Sequence, residues 1–241
     1  MNIDIVSNDQ RYIYLNELLL KAGYKSRIST PSTLGQTDIL ILSIRDELSE
    51  GELEEIFNRT DKGTLVFCGN RQKIEKYFQG EIIDYSQNEE LLKKNARLTA
   101  EATISIFHTI SKMSLSNQKV FICGYGRIGK ELAKMFFSLG AEIFVYARRE
   151  KVREQVSDDG FYFAPPELAP SCDVIINTAP SIVFDNALID KIPTEATIIE
   201  LASVCGFENE ERVNFALGLP GKIMPKSSAK VIYDAIVPLF K

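Results

Sequence analysis

One stretch restricts this chain more than any other: KVFICGYGRIGKELAKMFFSLGAEIFVYARR, Lys119 to Arg149. An apolar run from Val120 to Cys123 enters a turn with glycines at 124, 126 and 129. An amphipathic run, Ile128 to Leu139, follows, then Gly140 and a second apolar run from Ile143 to Ala147. Strand, glycine turn, helix and strand in this order predict the dinucleotide-binding half of a Rossmann fold. Gly124 permits the tight turn, Gly126 lets the backbone approach a pyrophosphate, and Gly129 lets helix and sheet pack closely. The helix N-terminus then offers unpaired N–H groups and a partial positive charge to the phosphates. Tyr125 and Arg127 fill variable positions of the turn and are candidates to touch the cofactor. Ile128, beside them, reads first as helix-face packing.

The end of the second strand bears on which dinucleotide binds. An NAD site usually carries an Asp or Glu about 20 residues past the first glycine, for the ribose hydroxyls. Here the strand ends Val145-Tyr146-Ala147 and runs into Arg148 and Arg149, with no carboxylate. The rigid donor fork of arginine suits a phosphate, so the pair favours NADP over NAD. A solvated loop start is the plainer reading of the same two residues.

The rest of the chain gives this half-fold its company. Residues 2–6, 38–43 and 64–68 read as strands, with helices after the first and second, predicting a small α/β domain over residues 1–87. Its first turn, Ser7-Asn8-Asp9, lacks the glycines. Asn8, Asp9 and Arg11 would lie near the carboxyl end of the first strand, where open α/β sheets bind ligands; serving as caps and surface groups is their alternative. Residues 88–112 contain neither Pro nor Gly and predict a long linker helix forming a cleft wall. It carries Thr99, Glu101 and the single histidine, His108, which reads as packing more readily than as a catalyst. Residues 113–241 form the dinucleotide-binding domain, with a final helix from Ser227 to Phe240 packing back. Strand 173–177 ends in Asn177-Thr178-Ala179-Pro180, at the sheet edge where nicotinamide and its ribose lie, and strand 197–201 ends near Ser203. The expectation is two three-layer α/β/α Rossmann-like domains joined by a long helix.

Composition excludes other classes. With 28 Lys plus Arg against 33 Asp plus Glu, net charge −5, no basic patch stands out, which argues against a nucleic-acid partner. No apolar run approaches the roughly 18–20 residues of a membrane span, so the cytoplasm is the expected address. The four cysteines are widely spaced and form no C-x-x-C, so neither zinc nor a disulfide framework is expected. GLPGK at 218–222 is not a phosphate-binding Walker loop, because position 216 is Ala and Ile223 follows the lysine. Its two glycines around Pro220 predict a fixed turn that aims Lys222.

Several segments together resemble the family of the dipicolinate synthase A-subunit. They are NARLTAEATI (95–104), the glycine stretch through its closing ARR, DVIINTAP (173–180), IIELAS (198–203) and LGLPGKIMPKSSAKVI (217–232). A looser similarity links the chain to the NAD-binding domains of 2-hydroxyacid dehydrogenases and adenosylhomocysteinase. The resemblance covers residues 84–235; before that it is an outline with a D-x-R element at Asp9 and Arg11. Three departures touch the expected cleft. The family's paired glycines before that Asp are Ser7 and Asn8, the glycine after TAE is Ala102, and Pro-Gly-Gly after LAS is Val204-Cys205-Gly206.

The resemblance implies an NADP-dependent oxidoreductase yielding pyridine-2,6-dicarboxylate from a cyclic dihydro or tetrahydro precursor. It also implies a flavoprotein-like second subunit of the dipicolinate synthase, and the mother cell of a spore former as the setting; a homodimer is compatible with it. Its chemistry suggests Glu101 as the base for a ring proton, and Lys222 with Arg11 or Arg127 as cations for the dianionic substrate. Thr99, Asn177 and Ser203 would orient substrate or nicotinamide. Two rivals stand beside this reading. One is another NADP-dependent enzyme of a small carboxylic acid, which would want a catalytic His–carboxylate pair. The other is a non-catalytic nucleotide-binding subunit of a synthase complex.

Overall fold

The computed structural model describes residues 1–45 and 48–240. The chain forms two compact units, Met1–Asn95 with the segment from Pro220 onward, and Ala96–Leu219. The division differs from the boundaries expected from sequence at 88 and 112. The helix between them runs unbroken over Glu89–Ser111 and contributes to both units, and the chain's final helix belongs to the first unit, not the second.

The first unit is built on β1 (Asn2–Val6), β2 (Lys25–Ile28), β3 (Ile39–Leu42), β4 (Leu65–Cys68) and β5 (Ile82–Asp84). They form one parallel sheet in the order β2-β1-β3-β4-β5. The period-2 alternation of a strand divides its apolar residues between two faces. Ile39 and Ile41 of β3 join Ile3, Ile5 and Phe67 in one core, while Leu40 and Leu42 join Val6, Val66 and Cys68 in another. Helix α1 (Gln10–Lys21) covers the first face with Leu15 and Leu19, four residues apart, and α2 (Glu50–Asn58) covers the second with Leu53, Ile56 and Phe57. The short helix α3 (Arg71–Ile74) follows β4. Strands β2 and β5 escape a sequence reading because both are edges. KSRI exposes Lys25 and Arg27, and β5 has only three residues.

The long helix α4 (Glu89–Ser111) starts with two glutamates at its positive end and Asn88 accepting from the Leu91 N–H at 2.9 Å. The second unit continues with β6 (Lys119–Cys123), α5 (Arg127–Ser138), β7 (Glu142–Tyr146), α6 (Glu150–Asp158), β8 (Tyr162–Phe163), β9 (Val174–Asn177), α7 (Asn186–Ile189), β10 (Thr197–Glu200) and β11 (Val213–Phe215). All pairings are parallel and the order is β11-β10-β9-β6-β7-β8. Counted from β6, that is 6-5-4-1-2-3, the doubly wound Rossmann order with its reversal between β6 and β9. At such a reversal the connections leave in opposite directions and open a crevice at the carboxyl ends of the strands. After α8 (Leu219–Ile223), helix α9 (Pro225–Ile236) returns to the first unit. There Ala229, Ile232 and Ile236 complete the core shared with α1. No helix among the described residues is long and apolar enough to cross a membrane.

Candidate functional site

The glycine turn sits at the carboxyl end of β6, and its three glycines meet different constraints. Gly124 has φ of 98°, a left-handed conformation, and a Cβ there would lie 2.4 Å from Thr178 Oγ1. A Cβ on Gly129 would lie 2.1 Å from the Gly124 carbonyl oxygen, so only glycine lets α5 approach the turn. Gly126 has nothing within 4 Å of its Cβ direction. Space, not crowding, is what glycine provides at that position. Gly126 is also the N-cap of α5 with no side-chain cap, which leaves the first N–H groups of the helix turned to the crevice.

Around this turn lies a cavity of about 420 Å³, walled by Cys123, Gly124, Tyr125, Gly126, Tyr146, Ala147, Arg148, Arg149, Val152, Ala179 and Val183. The turn, the end of β7, the start of α6 and the loop after β9 thus converge. Arg148 and Arg149 are exposed, and no ion pair among the described residues involves either. Val152 and Val183, which carry no sequence signal of their own, add apolar wall. Arg127 is exposed at the first position of α5, and Ile128 is half-buried behind it.

Several predicted ligands turn inward. The Tyr125 hydroxyl donates to Asp159 Oδ2 at 2.7 Å; burial pushes this phenol up, and the neighbouring carboxylate adds to the shift. Its ring is buried, so Tyr125 serves the cavity as wall and backbone. Thr178 Oγ1 donates to the Cys123 carbonyl oxygen at 2.9 Å and fastens the turn from behind. Asn177 is fully buried, with Nδ2 donating to both carboxylate oxygens of Glu200 at 2.9 Å and to the Ala179 oxygen at 3.0 Å. Its Oδ1 accepts from the Ala179 N–H at 3.1 Å. Asn177 and Thr178 therefore hold the loop instead of presenting side-chain donors to a ribose. Of the NTAP residues, Ala179 lines the cavity and Pro180 is exposed.

Glu200, at the end of β10, is the residue the sequence reading passed over. It is fully buried, registers directly with Asn177 across the sheet, and also accepts from the Ala202 N–H (2.7 Å) and Gly206 N–H (2.8 Å). The carboxylate thereby shapes the loop that carries Ser203, which is exposed.

In the first unit, Asp9 caps α1 by accepting from the Arg11 N–H at 2.9 Å, and it also takes the Arg11 side chain, Nη2 to Oδ2 at 2.6 Å and Nε to both oxygens at 3.0 Å. Burial opposes both charges. The pairing more than reverses it, holding Asp9 below and Arg11 above their ordinary values. Gly221 of α8 rests on this pair, since a Cβ there would meet Arg11 Nε at 2.9 Å. The D-x-R element and the GLPGK segment are thus brought together, though that segment is helical from Leu219 and not the fixed turn expected, and Arg11 is a satisfied structural cation and not an open one. Asn8 is exposed beside it, as is Lys222. Buried Tyr12 and Tyr85 bond through their hydroxyls beneath, with Tyr85 donating to the Leu42 oxygen at 2.8 Å.

Glu101 lies on the part of α4 in the second unit and is exposed; Thr99, half a turn earlier on the same helix, is buried. Lys222 belongs to the first unit, so the two predicted catalytic groups come from separate units. His108 bonds through Nδ1 to the Met113 oxygen at 3.1 Å, just past the end of α4.

Comparison with known proteins agrees with this geometry. Residues 86–203 match the NAD-binding domain of D-isomer specific 2-hydroxyacid dehydrogenases. The A-subunit of dipicolinate synthase from Bacillus subtilis (strain 168) is 24% identical over 231 residues, covering 85% of this chain and 78% of that protein. Over most of its length the chain is thus similar to the A-subunit of dipicolinate synthase, and residues 86–203 carry the dehydrogenase NAD-binding domain. In fold, it matches the crystal structure of the A-subunit of dipicolinate synthase from Bacillus halodurans with a TM-score of 0.82 at 20% identity, over 99% of this chain and 97% of that one. The corresponding Bacillus subtilis crystal structure gives 0.81 at 20% identity, over 99% and 95%. The second unit is therefore a nicotinamide-dinucleotide domain of the dehydrogenase type.

One departure from the resemblance has a physical reading. Of the Pro-Gly-Gly that follows LAS in the family, only the last glycine is kept here, as Gly206. A Cβ at Gly206 would lie 2.5 Å from Asn177 Nδ2. That glycine is required by the Asn177–Glu200 bond.

Proposed function

We propose that this chain is an NADP-dependent dehydrogenase that oxidises a dihydrodipicolinate-type cyclic dicarboxylate to dipicolinate. The observation that carries the reading is the cavity beside the glycine turn. It combines an open Gly126 and an uncapped helix start with two exposed arginines where an NAD enzyme would hold an acid. The donor set fits the group: Gly126 and the N–H groups of α5 would hold the pyrophosphate, Arg148 and Arg149 a 2′-phosphate, and Ala147, Val152, Ala179 and Val183 the adenine. The nicotinamide, when bound, supplies the acceptor for a hydride.

Aromatising a dihydropyridine also releases one ring proton, and Glu101 is the base assigned to it. Lys222 and Arg127 would bind the two substrate carboxylates. Arg11, buried against Asp9 and Gly221, is the support of the Lys222 segment. Ser203, Thr99 and Asn8 remain the proposed substrate contacts. The flavoprotein-like second subunit of the synthase is the proposed partner, and sporulation, in the mother-cell cytoplasm, the proposed setting.

The test is the purified chain with and without that second subunit, supplied with dihydrodipicolinate and NADP, following reduced nicotinamide and dipicolinate by absorbance. Both should rise together; no reduction with the partner present refutes the synthase reading. Replacing both Arg148 and Arg149 by alanine should weaken NADP by at least about ten-fold while leaving NAD nearly unchanged, since each charged hydrogen bond contributes about 1.5–3 kcal/mol.

A further inference from the structure

Beyond the two arginines that follow β7, a third is already held in place. Arg153 lies on α6, one helical turn after Arg149. On an exposed helix, an arginine with Glu150 three residues before it would ordinarily pair with that carboxylate. No ion pair among the described residues involves Arg153. Instead its side chain folds back to the sheet, where Nε donates to the Ala147 oxygen at 3.3 Å and the guanidinium carbon stands 4.8 Å from the centre of the Phe163 ring. A carbonyl on one edge and an aromatic face below fix the plane of the group, the stacking that arginine does better than lysine. Its terminal nitrogens make no hydrogen bond among the described residues.

Both anchors adjoin the cavity beside the glycine turn. Ala147 lines it, and the Phe163 ring lies 6.5 Å from that of Tyr146, which lines it too. By contrast, Arg148 and Arg149 line the cavity as exposed side chains with no ion pair or ring contact among the described residues. A phosphate monoester near its second ionisation carries up to two charges and three acceptor oxygens, more than a single guanidinium fork can meet.

We propose that Arg153 is a specificity-determining residue, the preset cation of a three-arginine subsite for the 2′-phosphate of the dinucleotide. This rests on the reading of the site as one for NADP. The subsite recognises a phosphate monoester on the adenosine ribose. Arg153 supplies fixed geometry, and Arg148 and Arg149 close over the anion from the other side.

The experiment titrates the intact chain, by calorimetry, with four probes: NADP, NAD, adenosine 2′,5′-bisphosphate and adenosine 5′-monophosphate. For Arg153→Ala, the expected result is at least about ten-fold weaker binding of the two 2′-phosphorylated probes, with the other two within about two-fold. Arg153→Lys keeps the charge but not the fork and should recover part of the loss; Arg153→Gln keeps a donor but no charge and should recover none. Equal weakening of all four probes would overturn the proposal, leaving Arg153 a prop of β7. Unchanged binding of all four would overturn it as well. The wild type separates the two levels. If it does not prefer NADP to NAD, the NADP reading itself fails and the proposal falls with it. If it does and Arg153→Ala preserves the preference, only the assignment of Arg153 fails.

Discussion

Gly126 and Gly129 are three residues apart in one motif, yet the structure assigns their replacement opposite consequences. Gly126 has φ of −83°, which any residue adopts, and no atom within 4 Å of its Cβ direction. Gly126→Ala should fold normally. The gain of about 0.4–1 kcal/mol from a narrower unfolded ensemble is offset by the loss of a favoured N-cap residue, so stability should stay within about 0.5 kcal/mol of the wild type. A Cβ on Gly129 would meet the Gly124 oxygen at 2.1 Å and its carbon at 3.0 Å, both backbone atoms of a turn fixed by the Gly124 N–H to Tyr146 oxygen bond at 2.9 Å. Neither can swing aside, so Gly129→Ala should cost about 1–3 kcal/mol as an overpacked contact. For a unit of this size that lowers Tm by roughly 4–12 °C. Cofactor binding should respond differently. The new methyl at 126 fills the space a pyrophosphate needs and separates it from the α5 N–H groups, a loss of about 3 kcal/mol, or roughly a hundred-fold in Kd. Thermal unfolding without ligand, and calorimetric titration with NADP, measure the two quantities separately. The reasoning is refuted if Gly126→Ala melts as low as Gly129→Ala, or if it binds NADP within about three-fold of the wild type.

Three further outcomes follow from buried groups. Glu200→Gln replaces an acceptor by a donor facing Asn177, Ala202 and Gly206 N–H groups, and should lose about 2–4 kcal/mol in urea unfolding; a loss below about 0.5 kcal/mol contradicts the network. Because Asp9 is held below its ordinary value, its pairing stabilises the first unit above the unfolded pKa and the contribution fades as pH falls through the lower folded one. Asp9→Asn should therefore be less stable at neutral pH but lose less below about pH 4, and parallel acid-unfolding curves would count against this. Burial pushes the thiol of Cys123 up to about 12 and those of Cys68 and Cys172 up to about 11. A disulfide reagent at about pH 8 should modify half-buried Cys205 first and the other three only on unfolding, so a fast phase that survives Cys205→Ser would be the contrary result.

The glycine turn, its two strands and the uncapped helix were legible in the sequence because each is a local pattern that one segment satisfies by itself. The direction of a side chain is not local. Asn177 and Thr178 have the chemistry of ligands, and only the β6-β9-β10 order shows their donors are consumed by Glu200 and the Cys123 carbonyl. A signal did exist, since VIIN and TIIE are apolar strands that both end in a polar residue, and side-by-side pairing joins those ends. Asp9 was legible as a cap, but its second role, holding Arg11 under Gly221, needs two segments about 210 residues apart to meet, which a loop-closure argument alone does not specify. Arg153 lies one helical turn after Arg149, but that spacing does not say which way its side chain turns. Its orientation depends on Phe163 in an edge strand of two residues.

The return of α9 to the first unit has a consequence in time. Residues 96–219 form the second unit without interruption, so it can close as soon as that stretch has left the ribosome. The first unit cannot. Ile3, Ile5 and Leu15 emerge early, but Ala229, Ile232 and Ile236, which share their core, are made only after the whole second unit. At about 5–20 residues per second the delay from Asn95 to Ile236 is roughly 7–28 s, during which one face of the first sheet remains partly open. The half of the molecule translated first is therefore the half finished last, and the interval exposes it to chaperones and proteases.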